Sequence, residues 1–240
     1  MILKSIWFCC CFIIDYILPP RCLSCAELTI TAQGFCPDCW KKLNFIAKPY
    51  CYICGCQLNV SIFDNMSCGR CINTKSPYDW VRSLFIFDEH SSKIIHAFKY
   101  YDKTGMAKVL AKMLYYRYKS ELVNIDLIVP VPMHKFKRLF RMYNQSYILA
   151  QELKIIINKP VDYRLLIKDK WTKSQTALSK KARIQNIHGS IKFNQKHCIK
   201  GKNILLVDDV LTTGSTIKEC SRLLKSNGAQ CVYAITIART

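Results

Sequence analysis

Negative charge is scarce in this chain. Sixteen Asp and Glu stand against 36 Lys and Arg in 240 residues, a formal +20 that directs attention to anionic ligands. Glycine and proline are also scarce, eight of each, and half the residues are hydrophobic, which excludes a disordered or fibrous chain. A long uncharged apolar run is missing too. The nearest candidate, Met1–Leu18, is uncharged only from Ser5 to Ile14, well short of the about 20 residues of a spanning helix. Asp15 interrupts it, and Pro19-Pro20-Arg21-Cys22 follows where a signal sequence would carry a small-residue cleavage site. Leu3, Trp7, Cys10, Ile14 and Leu18 recur at helical spacing. Residues 1–20 are therefore expected to form a short amphipathic helix on the protein's own surface. The expectation is a cytoplasmic protein with no stable membrane span.

Cysteine, by contrast, is plentiful and unevenly placed: twelve of 15 lie before residue 72. Eight of them form Cys22-x2-Cys25, Cys36-x2-Cys39, Cys51-x2-Cys54 and Cys68-x2-Cys71. A CxxC turn points two thiolates at one centre, and two turns complete a tetrahedral four-sulfur site suited to zinc. Sequential pairing, Cys22/25/36/39 and Cys51/54/68/71, is the simplest. A cross-braced pairing has compatible spacing, and Cys56 competes with Cys54 as a ligand. Disulfides would need an oxidising compartment, which the N-terminus does not support. Up to two zinc ions are expected, both structural, because four thiolates leave no open position.

Residues 21–77 thus read as a double zinc ribbon and 78–240 as a second domain. There, strand and helix patterns alternate. Val81–Phe87, Asp126–Val131, Asn203–Val207 and Cys231–Ile237 read as strands; Ser91–Lys119, Tyr143–Ile157 and Ser215–Asn227 read as helices. Strands separated by helices predict an α/β fold with a parallel sheet. The run Asn203–Cys220, NILLVDDVLTTGSTIKEC, carries the most chemistry. A buried strand ends in Asp208 and Asp209, and Thr212, Thr213, Gly214, Ser215 and Thr216 then open a helix. Backbone N–H groups and hydroxyls converging on a helix N-terminus make an anion cradle. Two carboxylates beside it would repel a phosphate, yet they suit the hydroxyls of the same ligand. A ribose 5-phosphate meets both demands. A simple helix cap needs one such residue, not four with a glycine.

VDDVLTTGST resembles the phosphoribosyl-pyrophosphate (PRPP) motif of type I phosphoribosyltransferases. With the cysteine pairs, Ile95–Tyr100 (IHAFKY), Val129-Pro130-Val131-Pro132 and Cys68-Gly69-Arg70-Cys71, nearly the whole chain is similar to the ComF (ComFC) family of competence-related proteins. That resemblance implies a type I phosphoribosyltransferase-like sheet flanked by helices behind the zinc-ribbon module. It further implies Mg with PRPP as ligand, and a pyrophosphate loop of Lys99, Val131, Pro132, Arg138 and Arg141. Gln175, Arg183 and Asn186 fall where the family has its flexible loop. The chain departs from the family at Met142-Tyr143, where Gly-Phe is usual.

The family's biological role, DNA uptake beside a helicase-like competence partner, implies a second ligand. Residues 80–240 hold 29 basic against 11 acidic groups, more than PRPP requires. Lys108, Lys112 and Lys119 fall near one helical face among interleaved tyrosines, and Lys135 and Lys137 stand in a run without an acid. Basic groups with stackable rings suit single-stranded DNA. The plainer alternatives are a solvated lysine face over packed tyrosines, and a stand-alone Mg-dependent phosphoribosyltransferase that binds no DNA.

Overall fold

The computed structural model describes residues 19–29, 34–60, 65–100, 104–134, 143–169 and 189–240. Residues 1–18 of the expected N-terminal helix (1–20), Lys135, Lys137, Arg138, Arg141, Gln175, Arg183 and Asn186 lie outside the described residues. In chain order, the ribbon region holds α1 (Pro37–Lys41) and α2 (Gly69–Asn73). The remainder runs β1 (Trp80–Ile86), α3 (Glu89–Tyr100), α4 (Thr104–Tyr118), β2 (Leu127–Pro130), α5 (Gln145–Ile157), β3 (Leu166–Lys168), β4 (Ile191–Phe193), β5 (Asn203–Leu211), α6 (Ser215–Ser226) and β6 (Cys231–Arg239).

Among the described residues, four strands form one sheet in the order β1-β6-β5-β2, every pairing parallel. The near-continuous apolar runs of β5 and β6 suit strands covered on both faces. Strand alternation sends Leu205 and Val207 into the cluster with Phe98 of α3, Leu110 of α4 and Leu149 of α5. Ile204 and Leu206 enter the opposite cluster with Ile217 and Leu224 of α6. A small antiparallel pair, β3 with β4, packs on that second side. Its three-residue strands are too short to show a period in the sequence.

The single helix expected over Ser91–Lys119 is instead two, α3 and α4. Their buried residues explain it: Ile94, Ile95 and Phe98 in α3, then Met106, Leu110 and Leu114 in α4. At 3.6 residues per turn these two faces would sit roughly a third of a turn apart on one continuous helix, so they do not form a single narrow stripe.

The cysteine-rich segment is packed into the sheet. Cys22, Leu23, Phe35 and Leu43 share a core with Trp80, Phe85 and Leu114. Its backbone covers the outer edge of β1: Val81 N–H donates to Ile53 O (2.8 Å), Ile46 N–H to Leu84 O (3.1 Å) and Ile86 N–H to Asn44 O (2.8 Å). An edge strand left open would invite pairing with other chains. Arg82 of β1, 3% exposed, locks the contact. It pairs with Glu121 at 2.5 Å, donates to Tyr52 O at 2.9 Å and lies 4.9 Å from the Tyr50 ring centroid.

Candidate functional site

The sulfurs of Cys22, Cys25, Cys36 and Cys39 lie within 4.8 Å of one another, as do those of Cys51, Cys54, Cys68 and Cys71. Tetrahedral zinc with bonds of about 2.3 Å holds its sulfurs about 3.8 Å apart. The Cys25–Cys36 and Cys54–Cys68 separations are both 3.7 Å. Backbone N–H groups support the thiolates in the same pattern twice: Cys36 donates to Cys22 Sγ and Cys68 to Cys51 Sγ, each at 3.2 Å. The donor sets therefore fit zinc, in two closed four-cysteine sites paired sequentially. Cys54 belongs to the second cluster, whereas Cys56 contributes its carbonyl to Cys51 N–H at 2.7 Å.

The second candidate site is a cavity of about 430 Å³ at the carboxyl ends of β2 and β5. That edge is where open parallel sheets place ligands. Asp208 and Asp209 stand in the carboxyl-terminal half of β5, which runs on through Leu211, and the following loop leads into α6, whose N-cap is Gly214. Gly214 has φ 71°, a left-handed conformation that glycine adopts without cost. No backbone crowds it, the nearest atom to a Cβ there being Leu211 Cδ1 at 3.5 Å. The conformation explains this glycine, not a close approach. Thr212, Gly214, Ser215 and Thr216 line the cavity; the predicted Thr213 does not, and its hydroxyl lies 2.7 Å from that of Ser215.

The two acids differ in surroundings. Asp208 Oδ1 accepts from Ser146 Oγ (3.1 Å) and from Asp209 N–H (2.9 Å). Burial, and then the neighbouring charge of Asp209, pushes the Asp208 carboxyl from its ordinary 3.8 up to about 7. Asp209 Oδ2 lies 2.8 Å from Lys99 Nζ. The expected pyrophosphate cation Lys99 thus reaches the cavity from α3, already paired. Val131 and Pro132 line the opposite wall, beyond β2.

Three further residues line the cavity. Ser146 holds Asp208, and Asn144 caps α5 while donating to Val131 O at 3.1 Å. Lys168 enters the wall from β3. An Asn cap followed by an apolar periodic run is a recognisable helix start, so Asn144 carries a sequence signal. Ser146 and Lys168 carry none. Tyr143 gives its ring a use that Phe lacks: its hydroxyl donates to Phe98 O at 2.9 Å.

The basic surface divides. Lys108 and Lys112 line an open apolar groove with Trp40, Phe45, Val109, Met113, Tyr116 and Arg117, between the first ribbon and α4. Lys119, just past α4, is exposed and outside that groove. Tyr116 is 73% exposed and Trp40 48%, but Tyr118 is buried, donating to Ser83 O at 2.6 Å. Tyr118 is therefore core, in keeping with the plainer alternative for the tyrosines. Among the described residues, no helix is long and apolar enough to cross a membrane.

A model of the double zinc ribbon domain matches residues 13–72, and one of the phosphoribosyl transferase domain matches residues 143–240. Competence protein F of Haemophilus influenzae is 30% identical over 226 residues, covering 91% of this chain and 96% of that protein. DNA utilization protein YhgH of Escherichia coli is 28% identical over 229 residues, covering 93% and 98%. Among solved structures, a purine phosphoribosyltransferase from Pyrococcus horikoshii aligns with TM-score 0.36 and 16% identity, over 56% of this chain and 82% of that one.

Proposed function

This chain belongs to the competence protein F family, and from that premise we propose that it handles incoming DNA, binding Mg-PRPP in its α/β domain and single-stranded DNA on its basic face. The observation that carries the PRPP reading is the cavity itself. Gly214 and the hydroxyls of Thr212, Ser215 and Thr216 at the start of α6 stand beside the carboxylates of Asp208 and Asp209 on β5. Helix dipole and N–H groups would take the 5-phosphate, and Asp208 and Asp209 would accept from the ribose hydroxyls. Two carboxylates next to a polyphosphate also suit Mg, which takes one or two carboxylates plus substrate phosphates. Bound there, Mg would neutralise charge on the pyrophosphate. Transfer of the ribosyl group would rest on positioning and on stabilising that leaving group.

Titration calorimetry with Mg-PRPP tests this reading. Binding is expected for the wild type, with loss for the Asp208→Ala/Asp209→Ala variant. Equal binding by both, or none by the wild type, would overturn it. The DNA reading is supported by the names of the relatives and by the groove, where Lys108 and Lys112 flank the exposed rings of Trp40 and Tyr116. A gel-shift midpoint that stays fixed between low and high salt would count against it. The alternative, a phosphoribosyltransferase without DNA binding, predicts PRPP binding and no shift at any salt. A helicase-like competence partner fits the same biological reading, and pull-down by the full chain from competent cells would test it.

A further inference from the structure

Beyond β2 the chain presents two exposed aromatic rings that neither the zinc clusters nor the cavity uses. Ile128 of β2 pairs with Leu205 of β5 on one side and with Val161 on the other. There Ile128 N–H donates to Pro160 O and Asp162 N–H to Ile128 O, each at 2.9 Å. This hydrogen-bonded backbone brings Tyr163 against Tyr147, in the first turn of α5. The rings meet edge to face, with centroids 5.4 Å apart and planes at 89°. Such a contact occupies one face of one ring and leaves other faces for stacking. Tyr163 is 53% exposed and Tyr147 36%, whereas Tyr118 is core.

The charge beside these rings is positive. The Arg164 guanidinium lies 5.6 Å from the Tyr163 ring centroid. The acid closest in sequence is committed elsewhere: Asp162 Oδ2 stands 2.5 Å from His197 Nδ1, and Oδ1 accepts from the Arg164 backbone N–H at 2.9 Å. Among the described residues, no carboxylate pairs with the Arg164 guanidinium. Lys154, also exposed, follows Tyr147 by two helical turns on the same face of α5. Residues 143–169 and 189–200 together hold seven Lys or Arg against three acids, so this side of the domain favours an anionic partner. Stackable rings with an unpaired guanidinium on one of them suit unpaired bases and their phosphates.

We propose that Tyr147, Tyr163 and Arg164 form a second platform for single-stranded DNA, the rings stacking bases while Arg164 holds a phosphate. The inference rests on the reading that this chain binds single strands. Its place is separate from the groove of Lys108 and Lys112, which lies toward β1 at the opposite end of the sheet. Helices α4 and α5 pack together on the face between the two. The platform also adjoins the cavity, since Asn144, Gln145 and Ser146, just before Tyr147, line it. A strand held here therefore runs beside the PRPP cavity.

Filter binding to an oligothymidine of about 30 nucleotides, long enough for several stacked bases, tests the platform on the full zinc-loaded chain. Tyr147→Ala/Tyr163→Ala should weaken binding roughly five- to hundredfold for each base unstacked. Tyr147→Phe/Tyr163→Phe keeps the rings and should stay within a few-fold of wild type. Arg164→Gln should lower the salt slope by about 0.7, the share of one single-strand phosphate. Should the Ala variant not fold, Tyr147→Leu/Tyr163→Leu removes the aromatic faces and keeps apolar bulk. Wild-type affinity in the Ala or Leu variant would overturn the platform and leave the groove reading intact. If that variant instead lost a protein captured by the wild type, the rings would belong to a protein interface. An equal loss in the Phe variant would also overturn the platform, because the hydroxyls rather than the rings would carry the effect. A wild-type chain that binds no single strand at any salt would overturn both.

Discussion

Lys99 Nζ stands 2.8 Å from Asp209 Oδ2, tying the last turn of α3 to the end of β5. The side chains are 21% and 18% exposed, so water still screens the pair and its worth to stability is at most about 1 kcal/mol. Its value would lie in holding the Asp209 carboxylate in place. Lys99→Met should therefore shift the urea midpoint little and weaken Mg-PRPP binding tenfold or more. Comparable losses in both measurements would count against a positioning role.

Gly55 supports the contact between the second zinc cluster and β1. It has φ 68°, and a Cβ there would lie 2.4 Å from Val81 O. Gly189 has nearly the same φ, 66°, with no described residue within 4 Å of a Cβ there. The left-handed conformation alone costs a side chain about 1–2 kcal/mol. Gly189→Ala should thus be mildly destabilising in urea titration, and Gly55→Ala markedly more so, because backbone has to move.

The Asp208 carboxyl is held up to about 7, first by burial and then by Asp209. Between its ordinary 3.8 and about 7 the folded chain keeps a proton that the unfolded chain has lost. This contribution to stability is therefore complete below the lower value and lost as pH rises through the upper one. Asp208→Asn abolishes the titration. Melting temperatures of the two proteins should converge or cross in favour of Asp208→Asn as pH rises from about 5 to about 8. Parallel curves would show that Asp208 titrates normally.

Metal analysis separates the two candidate ligands Cys54 and Cys56. Cys54 is in the four-sulfur cluster and Cys56 is not. Cys54→Ser should lower the zinc content from two per chain toward one, whereas Cys56→Ser should retain two. Chelation of both ions should destabilise the whole chain, since structural zinc contributes directly to folding and the first ribbon shares the sheet's core.

For DNA, charge and stacking can be told apart. Replacing Lys108 and Lys112 with Gln should reduce the salt slope of single-strand binding by about 0.7 for each phosphate no longer neutralised. Replacing Trp40 and Tyr116 with Ala should leave that slope alone and lower affinity, by about 1–3 kcal/mol for each base unstacked. Filter binding across a salt series reads both.

The chemistry-bearing segments are legible in the sequence because each is local. A CxxC turn is four residues, and the acid pair, its loop and the start of α6 are contiguous in the chain, so spacing alone points to the zinc ligands and the anion cradle. The parallel sheet is legible from apolar runs long enough to be buried on both faces. Tertiary structure decided what depends on residues far apart in sequence. It brought Ser146 of α5 to Asp208, Lys99 to Asp209 and Lys168 into the cavity wall, and it broke one long helical pattern into α3 and α4. It also laid Asn44, Ile46 and Ile53 along the edge of β1, making two compositionally distinct segments share one core. None of these contacts has a sequence period, because a hydrogen bond or ion pair depends on where the folded backbone carries each group, not on its spacing along the chain.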